Sequence, residues 1–397
     1  MKRIATFLLM CLAALAALSS CCKDNPERES GFKRVFVLYS GAYNNLSGYL
    51  QEDLQDFIGG ESASALPLRN SGDAVLIVSH TSKYSDYDTP TPTYLVRASR
   101  DGSSNPVLDT LKTYPDTVRL TDKAAMRAIF TDIQTAFPSE SYGALITSHG
   151  SGWLPDGYYN TLKIKPSSIG AEYYNDGTES YEMDITDLAA AIPMKLDYLL
   201  FDACLMGGIE TAYELCGAAD RIAFSGTEIM ANGFAYGSIL ERLFPASGEP
   251  DLKGVCTDYF AQYEDSYETT GGATISLIDC TALDGLATLC KRLFEEYREQ
   301  LAAVNPNMVQ GFYRFNRHFF YDLEDILINA GISSADRAAL EEELGRCVLY
   351  KANTPKFLSI DINTWCGLSM YLPADGNSDL DNFYKGLQWN NATALVK

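Results

Sequence analysis

The stretch LLFDACLMGG, residues Leu199 to Gly208, extends an apolar run that starts at Tyr198 and stops at an acid and a thiol. The run is too short for a helix and too apolar for a surface loop, so it reads as a buried strand, with Asp202 and Cys204 at its end and two glycines before a helix-like segment. Similar β-rich runs stand at 34–39 (RVFVLY), 74–79 (AVLIVS), 143–148 (GALITS), 221–225 (RIAFS) and 273–278 (ATISLI). Helix-like stretches near 46–58, 122–136, 186–192, 205–216 and 282–303 alternate with them. That alternation predicts an α/β fold with a largely parallel sheet buried between helices.

In open sheets of this kind ligands bind beyond the carboxyl ends of the strands, where loops and helix N-termini converge. Two ends stand out. One is LITSHGSGW (145–153), where His149 leaves a strand into a flexible glycine turn; the other is Asp202-Ala203-Cys204. A thiol facing a helix N-terminus sits where its anion is favoured, and a nearby imidazole makes it a nucleophile. Gly150 can bring its backbone N–H to a developing oxyanion with no side chain in the way. Taken singly, a cysteine at a strand end is an ordinary small core residue, and a histidine there is an ordinary structural one. Together they are 55 residues apart, close to the spacing of the caspase histidine and its Ala-Cys, and point to a Cys–His hydrolase. The other histidines, His80 and His318, are expected to be structural.

The N-terminus carries a different message. Lys2 and Arg3 precede an apolar core from Ile4 to Leu18 that is too short to span a bilayer comfortably, the layout of an export signal. Leu18-Ser19-Ser20-Cys21 resembles the lipobox of bacterial lipoproteins, in which the cysteine is acylated and becomes the new N-terminus. Residues 1–20 are expected to be removed, Cys21 to hold the protein at a membrane of the bacterial cell envelope, the outer membrane being expected, and 21–33 to act as a polar tether. Loss of Lys2 and Arg3 takes the net charge from −21 to −23, which argues against a nucleic-acid partner. Ten cysteines are present without CxxC spacing or paired histidines, so a zinc site is not expected. The segment from Tyr84 to Tyr94 reads as an edge hairpin or surface loop, and 154–182 as a long polar insertion of the kind that is functional or disordered. No Pro/Gly/Ser linker divides 34–397, which reads as one elaborated domain with 300–397 as its C-terminal extension.

These residues resemble the clostripain-like cysteine peptidases, relatives of the caspases and gingipains. Val37-Leu38-Tyr39 followed by Asn44-Asn45-Leu46 is similar to the family's opening "Y…DNNL", with Tyr43 where an Asp is usual. Leu120-Thr121-Asp122, His149-Gly150-Ser151-Gly152-Trp153, Phe201 to Met206 with Glu210 following, and Gly367 to Pro373 (GLSMYLP) match further family motifs in order. The resemblance implies a caspase-like α/β/α sandwich and hydrolysis of peptide bonds, commonly after Arg or Lys. Cys204 would attack the scissile carbonyl, His149 would protonate the leaving amine, and the N–H groups of Gly150 and Cys204 would hold the oxyanion. Asp202 would sit near the pocket for the substrate's first side chain, or else cap the following helix. Glu228 keeps the family's acid in the next loop, whereas Asn232 stands where a second acid is usual, which weakens selection of Arg or Lys. Family members can be processed between the His and Cys strands, and Lys163 and Lys165 are the only basic residues of the insertion; Pro166 protects the second, leaving Lys163-Ile164 as the candidate cut. No cofactor is expected, a calcium requirement being left open. The alternatives are a non-catalytic surface lipoprotein of the same fold that captures peptides or glycans, and a serine hydrolase using Ser151, which lacks the G-x-S-x-G elbow.

Overall fold

The computed structural model describes residues 31–83, 89–158, 169–174, 179–313, 319–373 and 378–397. The signal segment, Cys21, Lys163, Lys165 and His318 lie outside them, as do residues 84–88 of the Tyr84–Tyr94 segment. Strands are β1 (Arg34–Ala42), β2 (Asp73–Thr81), β3 (Tyr94–Arg100), β4 (Pro106–Thr113), β5 (Tyr142–Thr147), β6 (Ile169–Tyr174), β7 (Glu179–Met183), β8 (Leu196–Asp202), β9 (Ala219–Phe224), β10 (Thr274–Asp279), β11 (Tyr321–Asp322), β12 (Val348–Asn353), β13 (Lys356–Phe357), β14 (Ile360–Asp361) and β15 (Ser369–Met370). Nine of them form one sheet in the order β12-β10-β9-β8-β5-β1-β2-β3-β4. Its centre, from β9 through β8, β5 and β1 to β2, is parallel. The strands on either side run antiparallel.

The central strands are apolar on both faces because helices cover both, and the two-residue period divides their side chains between two cores. Val35, Val37 and Tyr39 of β1 and Leu199 and Phe201 of β8 face the first core; Phe36, Leu38, Tyr198 and Leu200 face the second. Helices Lys123–Ala136, Ile185–Ala191, Ile209–Leu215 and Leu283–Glu296 cover the first. Helices Ser47–Ile58, Ile239–Leu243 and Leu252–Ala261 cover the second. Asp122 caps the helix of the His-strand crossover by accepting the Ala125 N–H at 2.8 Å.

All six expected strands form. Of the Tyr84–Tyr94 segment, the described residues 89–93 form a loop that leads into β3, and the edge hairpin is β3–β4, residues 94–113, whose second strand is largely exposed and carries no apolar run to betray it. The insertion holds the β6–β7 hairpin, seated on the body where the Tyr173 N–H donates to the Tyr43 carbonyl (2.9 Å) and Asn44 Nδ2 donates to the Ala171 carbonyl (2.7 Å). Beneath it Nδ1 of His80 is hydrogen-bonded to Oε1 of Glu172, both residues fully buried, and Thr121 Oγ1 donates to the second oxygen of Glu172 at 3.2 Å. Residues from Leu301 onward join the first core; β15 pairs with β11, and its Ser369 N–H donates to the Gly207 carbonyl at 2.8 Å. Among the described residues no helix is long and apolar enough to cross a membrane, no group of His, Cys, Asp and Glu could hold a metal, and all seven cysteines are free thiols.

Candidate active site

Strands β5 and β8 are parallel neighbours with Thr147 opposite Asp202, and the Ser148 N–H donates to the Asp202 carbonyl at 3.3 Å. His149 and Cys204 therefore each stand two residues past that rung, on adjacent loops at the carboxyl edge of the sheet. Gly150 seats directly on the Cys204 loop: a Cβ there would collide with the Cys204 carbonyl and lie 2.8 Å from the Cys204 nitrogen and 3.0 Å from the Ala203 Cβ. Only glycine allows the two loops to approach this closely.

The thiol is half-buried. The helix following it starts at Ile209, later than position 205, and has Gly208 as its first flanking residue. Leu205 takes a left-handed φ of 61°, and the Gly207 N–H donates to the Ser225 carbonyl at 2.7 Å, so the chain turns away before it coils. The amide that faces the sulfur thus belongs to Ile229, whose N–H lies 3.4 Å from Sγ, not to the helix N-terminus. A backbone N–H at a sulfur favours the thiolate just as a helix end would.

His149 is half-buried, and its Nε2 donates to Oδ1 of Asn45 at 2.7 Å. That bond selects the tautomer that leaves Nδ1 able to accept a proton. Tyr173 of the insertion hairpin packs against the ring, with centroids 6.0 Å apart. Loss of hydration holds the imidazole down at about 4, against the opposing charge of Glu182. In the free protein the ring is therefore uncharged at neutral pH. Asn45 is a site residue that sequence reading named only as part of a motif.

Asp202 lies on the second-core face of β8, in register with Tyr198 and Leu200 by the two-residue period, and it does not cap the following helix. Its Oδ2 accepts the Tyr236 hydroxyl at 2.6 Å, its carboxylate also takes the Phe234 N–H, and Gly233, at φ 56°, leaves no room for a side chain against it. Burial raises its pKa to about 6, those hydrogen bonds opposing. Glu228 is half-buried in the same loop, and Asn232 is exposed at the edge of a neighbouring cleft.

The His149 and Cys204 loops are both backed by the C-terminal residues. Trp153, fully buried four residues after His149, packs on Tyr371 and Tyr384 with ring centroids 4.9 and 5.1 Å away. Glu210, fully buried after the thiol loop, accepts the Tyr371 N–H and the Tyr384 hydroxyl, each at 2.8 Å.

Comparison with solved structures finds this architecture in an inactive zymogen C11 protease from Parabacteroides distasonis (27% identity, TM-score 0.77, covering 92% of this chain and 99% of that one). It also finds it in the secreted C11 cysteine protease iotapain from Bacteroides thetaiotaomicron (26% identity, TM-score 0.75, covering 92% and 100%). A search of curated proteins gives no match. The sequence pattern of the clostripain family matches residues 38–393, a span that takes in the His149 and Cys204 loops and the C-terminal residues behind them, and the chain belongs to that family of cysteine peptidases.

Proposed function

We propose that Cys204 is the nucleophile and His149 the general acid–base of an endopeptidase that cuts after Arg or Lys. The observation that carries this reading is the register of β5 and β8, which sets His149 and Cys204 on facing loops with Gly150 against the nucleophile's backbone. The uncharged imidazole takes the thiol proton as Sγ attacks the scissile carbonyl, then passes it to the departing amine. The N–H groups of Gly150 and Cys204 receive the oxyanion. Water deacylates the enzyme with His149 as base. No cofactor enters these steps. Asp202 at the end of β8, with Glu228 and Asn232 on the loop after β9, forms the region that receives the basic side chain. The protein is exported, like the secreted relative from Bacteroides thetaiotaomicron, and held at the outer membrane by lipid on Cys21. It matures by a cut at Lys163-Ile164.

A fluorogenic peptide library tests the chemistry: Cys204→Ala or His149→Ala should lower hydrolysis by about 10³-fold or more with thermal melting unchanged. A Cys204→Ala protein that cleaves as fast as wild type removes the nucleophile assignment. Purified wild type should show a new N-terminus at Ile164 that Cys204→Ala lacks, and a fully active, uncut chain would defeat the processing step.

A further inference from the structure

Neighbouring side chains of a strand leave on opposite faces, and β6 of the insertion uses both. Glu172 turns inward to Nδ1 of His80 and Oγ1 of Thr121, and Tyr174, on the same face, packs edge-on against Tyr43 with ring centroids 4.8 Å apart. Tyr173 leaves on the other face, where its ring centroid lies 6.0 Å from that of the His149 imidazole. The acid thereby fixes the register. A slip of one residue would set Glu172 against His149 and push the Tyr173 phenol into the space beside His80 and Thr121.

The backbone repeats this arrangement. The Tyr173 N–H donates to the Tyr43 carbonyl at 2.9 Å, Asn44 Nδ2 donates to the Ala171 carbonyl at 2.7 Å, and the next residue, Asn45, accepts the bond from Nε2 of His149. Residues 43–45 therefore hold the imidazole twice, at its nitrogen through Asn45 and on its face through residues 171–173. Tyr43, which departs from the family motif, supplies the aromatic floor of the device: its ring packs between His80, at 5.2 Å, and Tyr174. On the outside the Arg119 guanidinium lies 3.3 Å from the centre of the Tyr181 ring and 5.3 Å from that of Tyr174.

We propose that Tyr173 is a positioning residue for the reaction, its ring holding the His149 imidazole in the orientation set by Asn45 and keeping water from its face. The inference deepens the peptidase reading above and rests on it. A hydrated imidazole would carry a proton through mildly acidic pH and could not take one from the thiol. Loss of water lowers the His149 pKa to about 4, opposed by the charge of Glu182 on β7, whose Oε2 accepts the Gly157 N–H at 3.0 Å. The other groups about the ring are Asn45, Tyr173 itself and the Cys204 thiol on the adjacent loop. Cover and opposing charge thus come from one hairpin, which makes the insertion part of the machinery that prepares the base.

The test compares variants of Tyr173 on one fluorogenic peptide with Arg before the cut. Tyr173→Phe keeps the ring and should stay within about threefold of wild type. Tyr173→Ala should lower kcat about 10–100-fold with little change in KM, and should move the acid limb of kcat/KM from near 4 toward the ordinary imidazole value of about 6.5. Tyr173→Leu, which keeps an apolar side chain on the strand but no flat ring, should give a smaller shift in the same direction. Limited proteolysis of the 169–183 hairpin, run beside the kinetics, should show it still docked through Glu172. A second readout is independent of turnover: in Cys204→Ala the His149 ring should titrate by NMR near 4, and adding Tyr173→Ala should raise that value. A titration that stays near 4 without the Tyr173 ring, or a loss in Tyr173→Phe equal to that in Tyr173→Ala, overturns the proposal. If wild type cleaves no peptide while the His149 titration moves with Tyr173, the peptidase reading fails and the hold of Tyr173 on the ring stands.

Discussion

Nε2 of His149 donates a 2.7 Å hydrogen bond to Oδ1 of Asn45, a residue 104 positions earlier in the chain. Asn45 lies between β1 and helix Ser47–Ile58, so the first crossover of the sheet aims the imidazole carried by β5. Replacing Asn45 by Ala should lower kcat about 10–100-fold with little change in KM, because the ring loses its tautomer and direction. With the wild-type imidazole held near 4, the acid limb of kcat/KM should fall near that pH instead of near 6.5. Asn45→Asp places an anion at the same nitrogen, favours the charged ring and should move the acid limb upward. A pH–rate profile for the three proteins checks all of this, and coincident acid limbs would show that Asn45 does not orient the ring.

Gly150→Ala should inactivate without unfolding. The new methyl meets the Cys204 backbone and the Ala203 Cβ, so the two loops must part by several tenths of an ångström. Expected losses are about 10²-fold or more in kcat/KM, on the scale of one lost oxyanion donor, with a nearly unchanged melting temperature. A variant within threefold of wild type would mean that the loops need not touch for catalysis.

Glu210 ties the Cys204 loop to the C-terminal residues and should matter most to stability. Glu210→Ala strands the Tyr371 N–H and the Tyr384 hydroxyl in the core, a cost of about 2–4 kcal/mol in denaturant unfolding. Desolvation raises the Glu210 pKa to about 7. The folded state therefore holds its proton more tightly than the unfolded chain, and the resulting stability, complete below about pH 4, is lost as pH rises through 7. The difference between Glu210→Gln and wild type should shift in favour of Gln from pH 4 to 7; a constant difference would contradict the raised value.

The buried His80–Glu172 contact fastens the insertion hairpin beside His149. His80→Ala leaves Glu172 buried with only Thr121 to bond it and should destabilise the protein by about 3 kcal/mol. Removing both partners in His80→Ala/Glu172→Ala should cost less than the single change at His80, since no buried polar group is left without its partner. Limited proteolysis should cut the 169–183 hairpin faster in the single variant, and equal rates in all three proteins would show that the pair does not hold it.

How far local patterning reaches can be judged from particular elements. The six apolar runs are readable as strands because burial on both faces leaves unbroken Val, Ile and Leu, and a five-strand parallel core follows from the helices between them. The positions of His149 and Cys204 at strand ends are equally local, and the family resemblance supplies their pairing. By contrast β4 is exposed on the sheet edge and leaves no apolar signature, and the start of the helix after Cys204 depends on hydrogen bonds from Gly207 and Leu205 to residues 225 and 227. Asn45 against His149, His80 against Glu172, and Glu210 under Tyr371 and Tyr384 join residues far apart in the chain. Periodicity reports whether a residue is buried in its own segment; it carries no information on which distant donor, acid or ring is buried with it. An inward-facing His80 is therefore an anomaly in one dimension, and its meaning comes from the partner that folding sets against it.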